Sequence, residues 1–508
     1  MSASKKKQAR KEQAPESLNE TMQQTAEKKS SGSALYGIAI VATVIAAIAL
    51  FLWNSSLFRG NAPAVTINGQ AYSAAEVNYY YNSVQQYQSY MSMMGSSSYN
   101  YSIPAKDQKY DEEHTWHDMM LEQAVESLRQ DVALADLAQK NGYTLSEEGQ
   151  ASINSSLAEL DASWVSAGYA NRKTYLKAAY GSDMTEDKLV ACLNRAALAS
   201  EYYTAQQESY EYTQDELNAY YAEHKDELDT FVVSQFLFQA EVDTTDDEGN
   251  TIEMTDEEKT AALDAAKQKA KASAEALLAR LNAGEDAQAL MDEFSDELGY
   301  SFVSEVRTGA NISAQYADWA YSAANGSTTL VDYEGTSDTS YVYCVARVEN
   351  RYQDNTPSAN IRHILISAGT SPTEEKYTEA LAEAEKLLEQ FKTGEATEDA
   401  FAKLAVENSD DSASAENGGL LNVTTYEGYN DAFVDWSLQS HTAGDTGIVK
   451  NETSYTKGYH IMYYVDQDLS YWMQNAQTAL RTLDMAAWEE EVFADYTAEN
   501  GDGLKNVG

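Results

Sequence analysis

The chain has 508 residues, enough for two to four domains, and its 43% hydrophobic and 23% charged residues exclude wholesale disorder. With 35 Lys and Arg against 81 Asp and Glu the net charge is −46, and outside its first residues the chain lacks the basic footprint that nucleic-acid binding needs. Two cysteines, Cys192 and Cys344, exclude a disulfide scaffold, a Cys-rich zinc module and most iron–sulfur ligation.

Residues 1–33 form a basic segment with Lys5, Lys6, Lys7, Arg10, Lys11, Lys28 and Lys29, and residues 34–53 follow as 20 positions without a charge. At about 1.5 Å per residue this run spans about 30 Å, one hydrocarbon thickness. The basic flank, with Tyr36 and Trp53 at the two ends, predicts an uncleaved transmembrane helix with its N-terminus in the cytoplasm. A cleaved signal peptide is the competing reading; the length of the run and the lack of a small-x-small site in NSSLFRGN argue against it. Everything beyond Arg59 is then extracytoplasmic, where 27 basic against 77 acidic residues leave a net charge of −50.

Ala64–Tyr72 reads as two short strands around Asn68-Gly69, a hairpin turn signal. Ser73-Ala-Ala-Glu76 matches a capping box and opens a helical region that runs to about Glu227, with a second such start at Thr213-Gln-Asp-Glu216. This region, residues 61–228, holds no nucleophile–base constellation and reads as a helical scaffold or binding surface. Tyr79, Tyr80, Tyr81, Tyr87 and Tyr90 form an aromatic run within it, either a peptide-contact surface or a core stripe. His114 and His117 stand three apart on a predicted helix, the spacing of a metal pair, but without a third ligand they read as solvated.

From Thr230 the pattern becomes β-α-β. FVVSQFLFQAE is a strand, followed by an acidic loop over Asp243–Lys259 and a helix through Leu281. From Asn360 the order recurs in IRHILIS and a helix through Phe391. Ala274-Glu-Ala-Leu-Leu278 mirrors Ala384-Glu-Lys-Leu-Leu388, a Ser-Asp follows each (Ser295-Asp296, Ser409-Asp410), and each unit closes on a Tyr-led strand, SYVYCVARVE and GYHIMYYVD. Two tandem copies, residues 229–355 and 358–466, are the economical explanation. The acidic clusters at Asp243–Glu248 and Asp256–Glu258 lack EF-hand spacing and read as a solvated face. A last helical stretch, within residues 467–508, runs from Ser470 to about Glu499 and ends in a frayed tail, NGDGLKNVG.

His363 and His460 open and close the second copy. With Arg362-His-Ile-Leu-Ile366, AFAKLAVENSDDSASAENGGLL (400–421), Phe433 and Gly458-Tyr-His-Ile461, residues 358–466 resemble the parvulin family of peptidyl-prolyl cis/trans isomerases. The wider layout is similar to extracytoplasmic foldases in which parvulin domains sit within a helical chaperone domain completed by a returning C-terminal helix. The resemblance implies an α+β chain: one N-terminal transmembrane helix, a mainly helical chaperone domain, and two tandem parvulin-like domains with small antiparallel sheets.

It further implies catalytic roles for His363, Asp411 and His460, and a proline seat made by Leu420, Tyr429 and Phe433. No cofactor and no metal are implied. The implied partners are unfolded or newly translocated polypeptides with X-Pro bonds and the membrane, with a homodimer admitted and nucleic acid excluded. The sequence departs from the family at Gly418-Gly419-Leu420-Leu421, which lacks an acid and a final glycine, and at Lys457. In the first copy, alignment sets Gln235 against the first histidine, Val342 against the second and Glu297 against the acid, which predicts a fold without catalysis. The alternative reading of the whole is a holdase that uses parvulin folds as scaffold. The two cysteines fall in different predicted domains, with Cys344 in a strand and facing a core, so no disulfide is expected between them.

Overall fold

A computed structural model describes residues 62–242, 252–337, 339–425, 429–453 and 456–508; the basic segment and the apolar run 34–53 lie outside them. Among the described residues no helix is long and apolar enough to cross a membrane. Val65–Ile67 (β1) and Gln70–Tyr72 (β2) pair antiparallel across Asn68 and Gly69. Both turn residues have positive φ, 47° and 77°, as a two-residue hairpin with the right twist requires.

Ser73 then caps α1 (Ala74–Met93), with Glu76 closing the capping box. There follow α2 (Trp116–Lys140), α3 (Glu147–Ser166), α4 (Arg172–Tyr180), α5 (Glu186–Glu208), α6 (Gln214–Glu223) and α7 (Lys225–Leu228). α1 to α5 share a core that includes Val77, Tyr80, Met120, Leu128, Tyr175 and Cys192. The aromatic run of α1 divides: Tyr79, Tyr80 and Tyr81 are buried, whereas Tyr87 and Tyr90 are each 54% exposed, because α1 runs past its packing partners after Val84. His114 precedes the α2 cap at Thr115 and bonds Asp111, while His117 Nδ1 meets the Tyr81 hydroxyl at 2.9 Å. The two histidines therefore do not share a helix face.

The next unit contains β3 (Thr230–Glu241), α8 (Asp256–Asn282), α9 (Ala287–Glu293), β4 (Phe302–Thr308), α10 (Ala317–Ser322), β5 (Thr328–Glu334) and β6 (Ser340–Tyr352). Thr255 and Glu258 cap α8, so the Asp256–Glu258 cluster is its first turn, where carboxylates suit the helix dipole. The second unit repeats the plan with β7 (Pro357–Gly369), α11 (Glu374–Thr393), α12 (Glu398–Asn408), α13 (Ser412–Ala415), β8 (Leu420–Val423), α14 (Asp431–Leu438), β9 (Thr446–Glu452) and β10 (Lys457–Ser470). Both sheets are antiparallel and share one strand order, β4-β3-β6-β5 and β8-β7-β10-β9. On the covered side of the second sheet, Ile364, Ile366 and Ile461 pack under Leu387, Phe391 and Phe401 from α11 and α12. The other face carries Ile361, Met462 and Val449 under Phe433 of α14.

α15 (Tyr471–Phe493) continues from β10 back to the helical region. Trp472 packs with Leu217 and Leu228 and donates its indole N–H to Asn355, between the two units. Trp488 lies against Tyr202 and Tyr203. The expected frayed tail is instead ordered. Ala498–Asn500 (β11) pairs with β1, and Val507 is fully buried. Gly501 and Gly503 make this packing sterically possible, since a Cβ at either would fall within 2.4 Å of the Pro63 or Ala62 carbonyl oxygen.

Candidate active site

His363 comes from the middle of β7 and His460 from β10, two strands paired side by side, and both point to the face covered by α14. Strand alternation does this: His460 stands opposite Leu365, two residues from His363, so the two rings lie on one side of the sheet. Their Nδ1 atoms are 2.9 Å apart, and both residues are buried, 1% and 6% exposed.

The loop after α12 brings the remaining polar groups. Asp410 N–H donates to the Leu365 carbonyl and Ser409 accepts the Leu365 N–H, which clips the loop along the edge of β7. Asp411 caps α13 and its carboxylate lies 3.1 Å from His363 Nε2. Ser414, 4% exposed, sits between them, with Oγ 2.8 Å from His363 Nε2 and 2.7 Å from Asp411 Oδ2. Gly419 closes the loop, taking the His363 N–H on its carbonyl; its φ is +72° and a Cβ would stand 2.1 Å from the His363 carbonyl oxygen. Only glycine fits there.

Hydrogen bonding to His363, then to Ser414, holds the Asp411 carboxyl well below the usual carboxylate range, against the opposing effect of burial. An ionised Asp411 accepts the Ser414 hydroxyl and the His363 Nε2–H together. In the uncharged pair His363 Nδ1 must then accept, and His460 Nδ1–H donates to it, which leaves His460 Nε2 with its lone pair. Burial, with His363 beside it, pushes His460 down to about 3, so the ring is neutral at physiological pH.

Phe433, fully buried, sets its ring edge-on to both imidazoles, 5.6 Å from His363 and 4.8 Å from His460. Asn430 caps α14 by accepting the Phe433 N–H and ties it to Asn451 of β9. Tyr429 stacks on Phe433 at 4.7 Å and is partly exposed, so it forms the outer face of the apolar patch. Leu420 does not belong to this patch. It stands opposite Arg362 and so faces the helix-covered side, whereas Leu421, opposite Ile361, packs with the Phe433 cluster. The period of two in a strand moved the side chain by one position. Ser414 was missed by sequence reasoning; its signal is an Asp-x-x-Ser spacing, the spacing of a capped helical turn.

The first unit carries the matching positions without the chemistry. Both β3–β6 and β7–β10 have a register shift at the same place, opposite Val232–Val233 and Asn360–Ile361, which equates His363 with Gln235 and His460 with Cys344. Cys344, not Val342, is therefore the second counterpart; Tyr343, and not Tyr341 at the head of its strand, is the residue that matches Tyr459. Glu297 bonds Ser273 of α8 at 2.6 Å and takes no part in the Gln235 site. Tyr316, next to α10, donates its hydroxyl to Gln235 Oε1 at 3.2 Å and packs with Cys344. Cys344 and Cys192 are both buried and free. Among the described residues no three His, Cys, Asp or Glu side chains gather as metal ligands.

Comparison with known proteins bears on the second unit. The family model described as the PPIC-type PPIase domain matches residues 343–468, beginning inside β6 and ending near the close of β10. No curated protein matches the chain. Among solved structures, a peptidylprolyl isomerase (PrsA) from Bacillus anthracis is similar at 20% identity with a TM-score of 0.18, over 30% of this chain and 63% of that one. The chain thus spans less than two thirds of that structure's length. Residues 343–468, with the histidine pair at their centre, are a parvulin-type peptidyl-prolyl cis/trans isomerase domain.

Proposed function

We propose that the chain is an extracytoplasmic foldase, anchored by residues 34–53, that isomerises X-Pro bonds of newly translocated polypeptides through His363, Asp411 and His460. The observation that carries the reading is the buried Nδ1–Nδ1 contact of His363 and His460 beneath Phe433. A barrier of about 20 kcal/mol resists rotation of the X-Pro amide because twisting destroys its resonance. A proline ring set against Tyr429, with Phe433 and Leu421 behind it, takes the amide out of water, where the less polar twisted state is favoured. The Asp411–Ser414–His363–His460 chain holds the imidazoles in one tautomer beside that amide, and no covalent bond is made. In this reading residues 61–228, with 467–508 returning to them, are the chaperone-like part, and residues 229–355 are a degenerate parvulin-like copy.

The test is exchange spectroscopy of a proline tetrapeptide with the full chain: catalysed cis/trans exchange supports the isomerase, and binding without exchange supports a holdase that uses the folds as scaffold. The anchor is tested by protease added to intact cells. Removal of everything beyond Arg59 with retention of the N-terminus is expected, and a mature protein beginning near Asn61 overturns it.

A further inference from the structure

Two neighbouring residues of β7 grip one loop from opposite faces of the sheet. Alternation along the strand sends His363 toward α14 and Arg362 to the other side, which Ile364 and Ile366 share under α11 and α12. Between α13 and β8 the chain from Ser414 to Gly419 passes the edge of β7. On the α14 side, Ser414 Oγ lies 2.8 Å from His363 Nε2. At the strand itself, the Gly419 carbonyl accepts the His363 N–H at 2.8 Å. On the far side, Arg362 Nη1 donates to the Asn417 carbonyl at 3.0 Å and the Gly418 carbonyl at 3.1 Å. Arg362 Nε donates to Glu398, in the first turn of α12, at 2.9 Å. The Arg362 side chain is only 15% exposed and packs onto Gly418, where a Cβ would come within 2.8 Å of Nη1.

The held carbonyls belong to the turn that carries Ser414. Asn417 N–H and Gly419 N–H both donate to the Ser414 carbonyl, and Gly418 N–H donates to that of Ala415. Ser414 Oγ in turn donates to Asp411. Leu420 and Leu421, which follow the turn, bring no polar side chain to it. The first unit has Ser234 at the strand position that matches Arg362. Ser234 bonds Glu349 and the Ser304 N–H, and there Glu297 turns away to Ser273 of α8.

We infer that Arg362 is a positioning residue of the isomerase: from the opposite face of the sheet it sets the turn that keeps Ser414 and Asp411 on His363. The inference rests on the isomerase reading above and adds to it a residue outside the site face. Arg362 acts through Ser414 and Asp411, which fix the His363 tautomer. It does not act through Phe433 and Tyr429, the proline seat, which α14 and the residues just before it supply. The planar guanidinium suits the task, because one nitrogen spans two carbonyls while another holds α12. Losing it therefore slows the reaction of bound peptide and leaves binding in place.

The experiment uses the full chain and reads two quantities: kcat and KM from exchange spectroscopy of an Ala-Pro tetrapeptide, and the imidazole nitrogen resonances of chain labelled at histidine, assigned with His363→Gln and His460→Ala. Arg362→Ala is expected to lower kcat about tenfold with KM within about twofold, and to move the His363 Nε2 resonance as its partners shift. Arg362→Lys keeps the charge without the fork and should regain part of the loss, to about threefold below the parent, with a smaller displacement of the resonance. Parental kcat in Arg362→Ala at equal folded concentration, a rise in KM alone, or an unmoved His363 resonance overturns the positioning role and leaves the isomerase standing. Should Arg362→Ala fail to fold, Arg362→Lys decides: lowered kcat with a moved resonance supports the role, and parental kcat or an unmoved resonance overturns it. No exchange by the parent overturns the isomerase; the nitrogen spectra then still decide the positioning, which a moved His363 resonance supports and an unmoved one overturns.

Discussion

The two sheets have the same strand order and the same bulge, yet one centre holds His363, His460 and Phe433 and the other Gln235, Cys344 and Tyr316. Backbone pairing therefore does not decide where chemistry resides. The second unit buries two imidazoles, which are costly to desolvate, and offsets that cost with a hydrogen-bonded chain ending on an ionised carboxylate. The first unit meets the same burial with a neutral amide satisfied by Tyr316 and a thiol that burial pushes up to about 12. The first centre holds no imidazole and no carboxylate.

The largest difference is expected from Phe433→Ala. Emptying a fully buried aromatic site should cost about 3–5 kcal/mol and abolish proline-peptide binding, as read by urea unfolding and titration. His460→Ala comes next. It leaves His363 Nδ1 without its partner, so stability should drop by about 1–3 kcal/mol and turnover about tenfold or more, with peptide binding less affected.

Acid should separate the two units in the same direction. His460 is held below its unfolded value, so between about pH 6.5 and 3 the unfolded chain binds the extra proton, and this contribution is full above pH 6.5 and lost as pH falls. Asp411 is also lowered and loses its contribution as pH falls below about 4. Thermal unfolding at pH 7, 5.5 and 4 should show the second unit weakening first, and His460→Ala should flatten the upper part of that slope. Ser414→Ala keeps the direct Asp411–His363 contact and should cost only about 1 kcal/mol, with a turnover loss smaller than that of His460→Ala in the same assays. The smallest effect belongs to Cys344→Ala, which removes the counterpart of His460 and should leave turnover of the full chain unchanged.

Much of this arrangement was legible in the sequence because it is carried by local signals. Asn68-Gly69, the Ser73–Glu76 box and the repeated β-α-β order each follow from turn, capping and periodicity rules, and the histidines were marked by their places in the first and last strands. What was not legible depends on register. A one-residue offset in β8 put Leu420 on the wrong face in place of Leu421, and matching Tyr341 instead of Tyr343 to Tyr459 put Val342 where Cys344 stands. The ordered C-terminus was hidden for another reason: β11 has no periodicity of its own, and its pairing with β1 closes a contact across more than 400 residues.

The most direct test of the central claim is the rate of cis/trans exchange of an Ala-Pro tetrapeptide on the full chain, compared at equal folded concentration among the parent, His460→Ala and Cys344→Ala. Catalysis seated in the second unit predicts exchange by the parent, a loss of about tenfold or more in His460→Ala, and parental rates in Cys344→Ala. Parental rates in His460→Ala, or loss of exchange in Cys344→Ala, would contradict it.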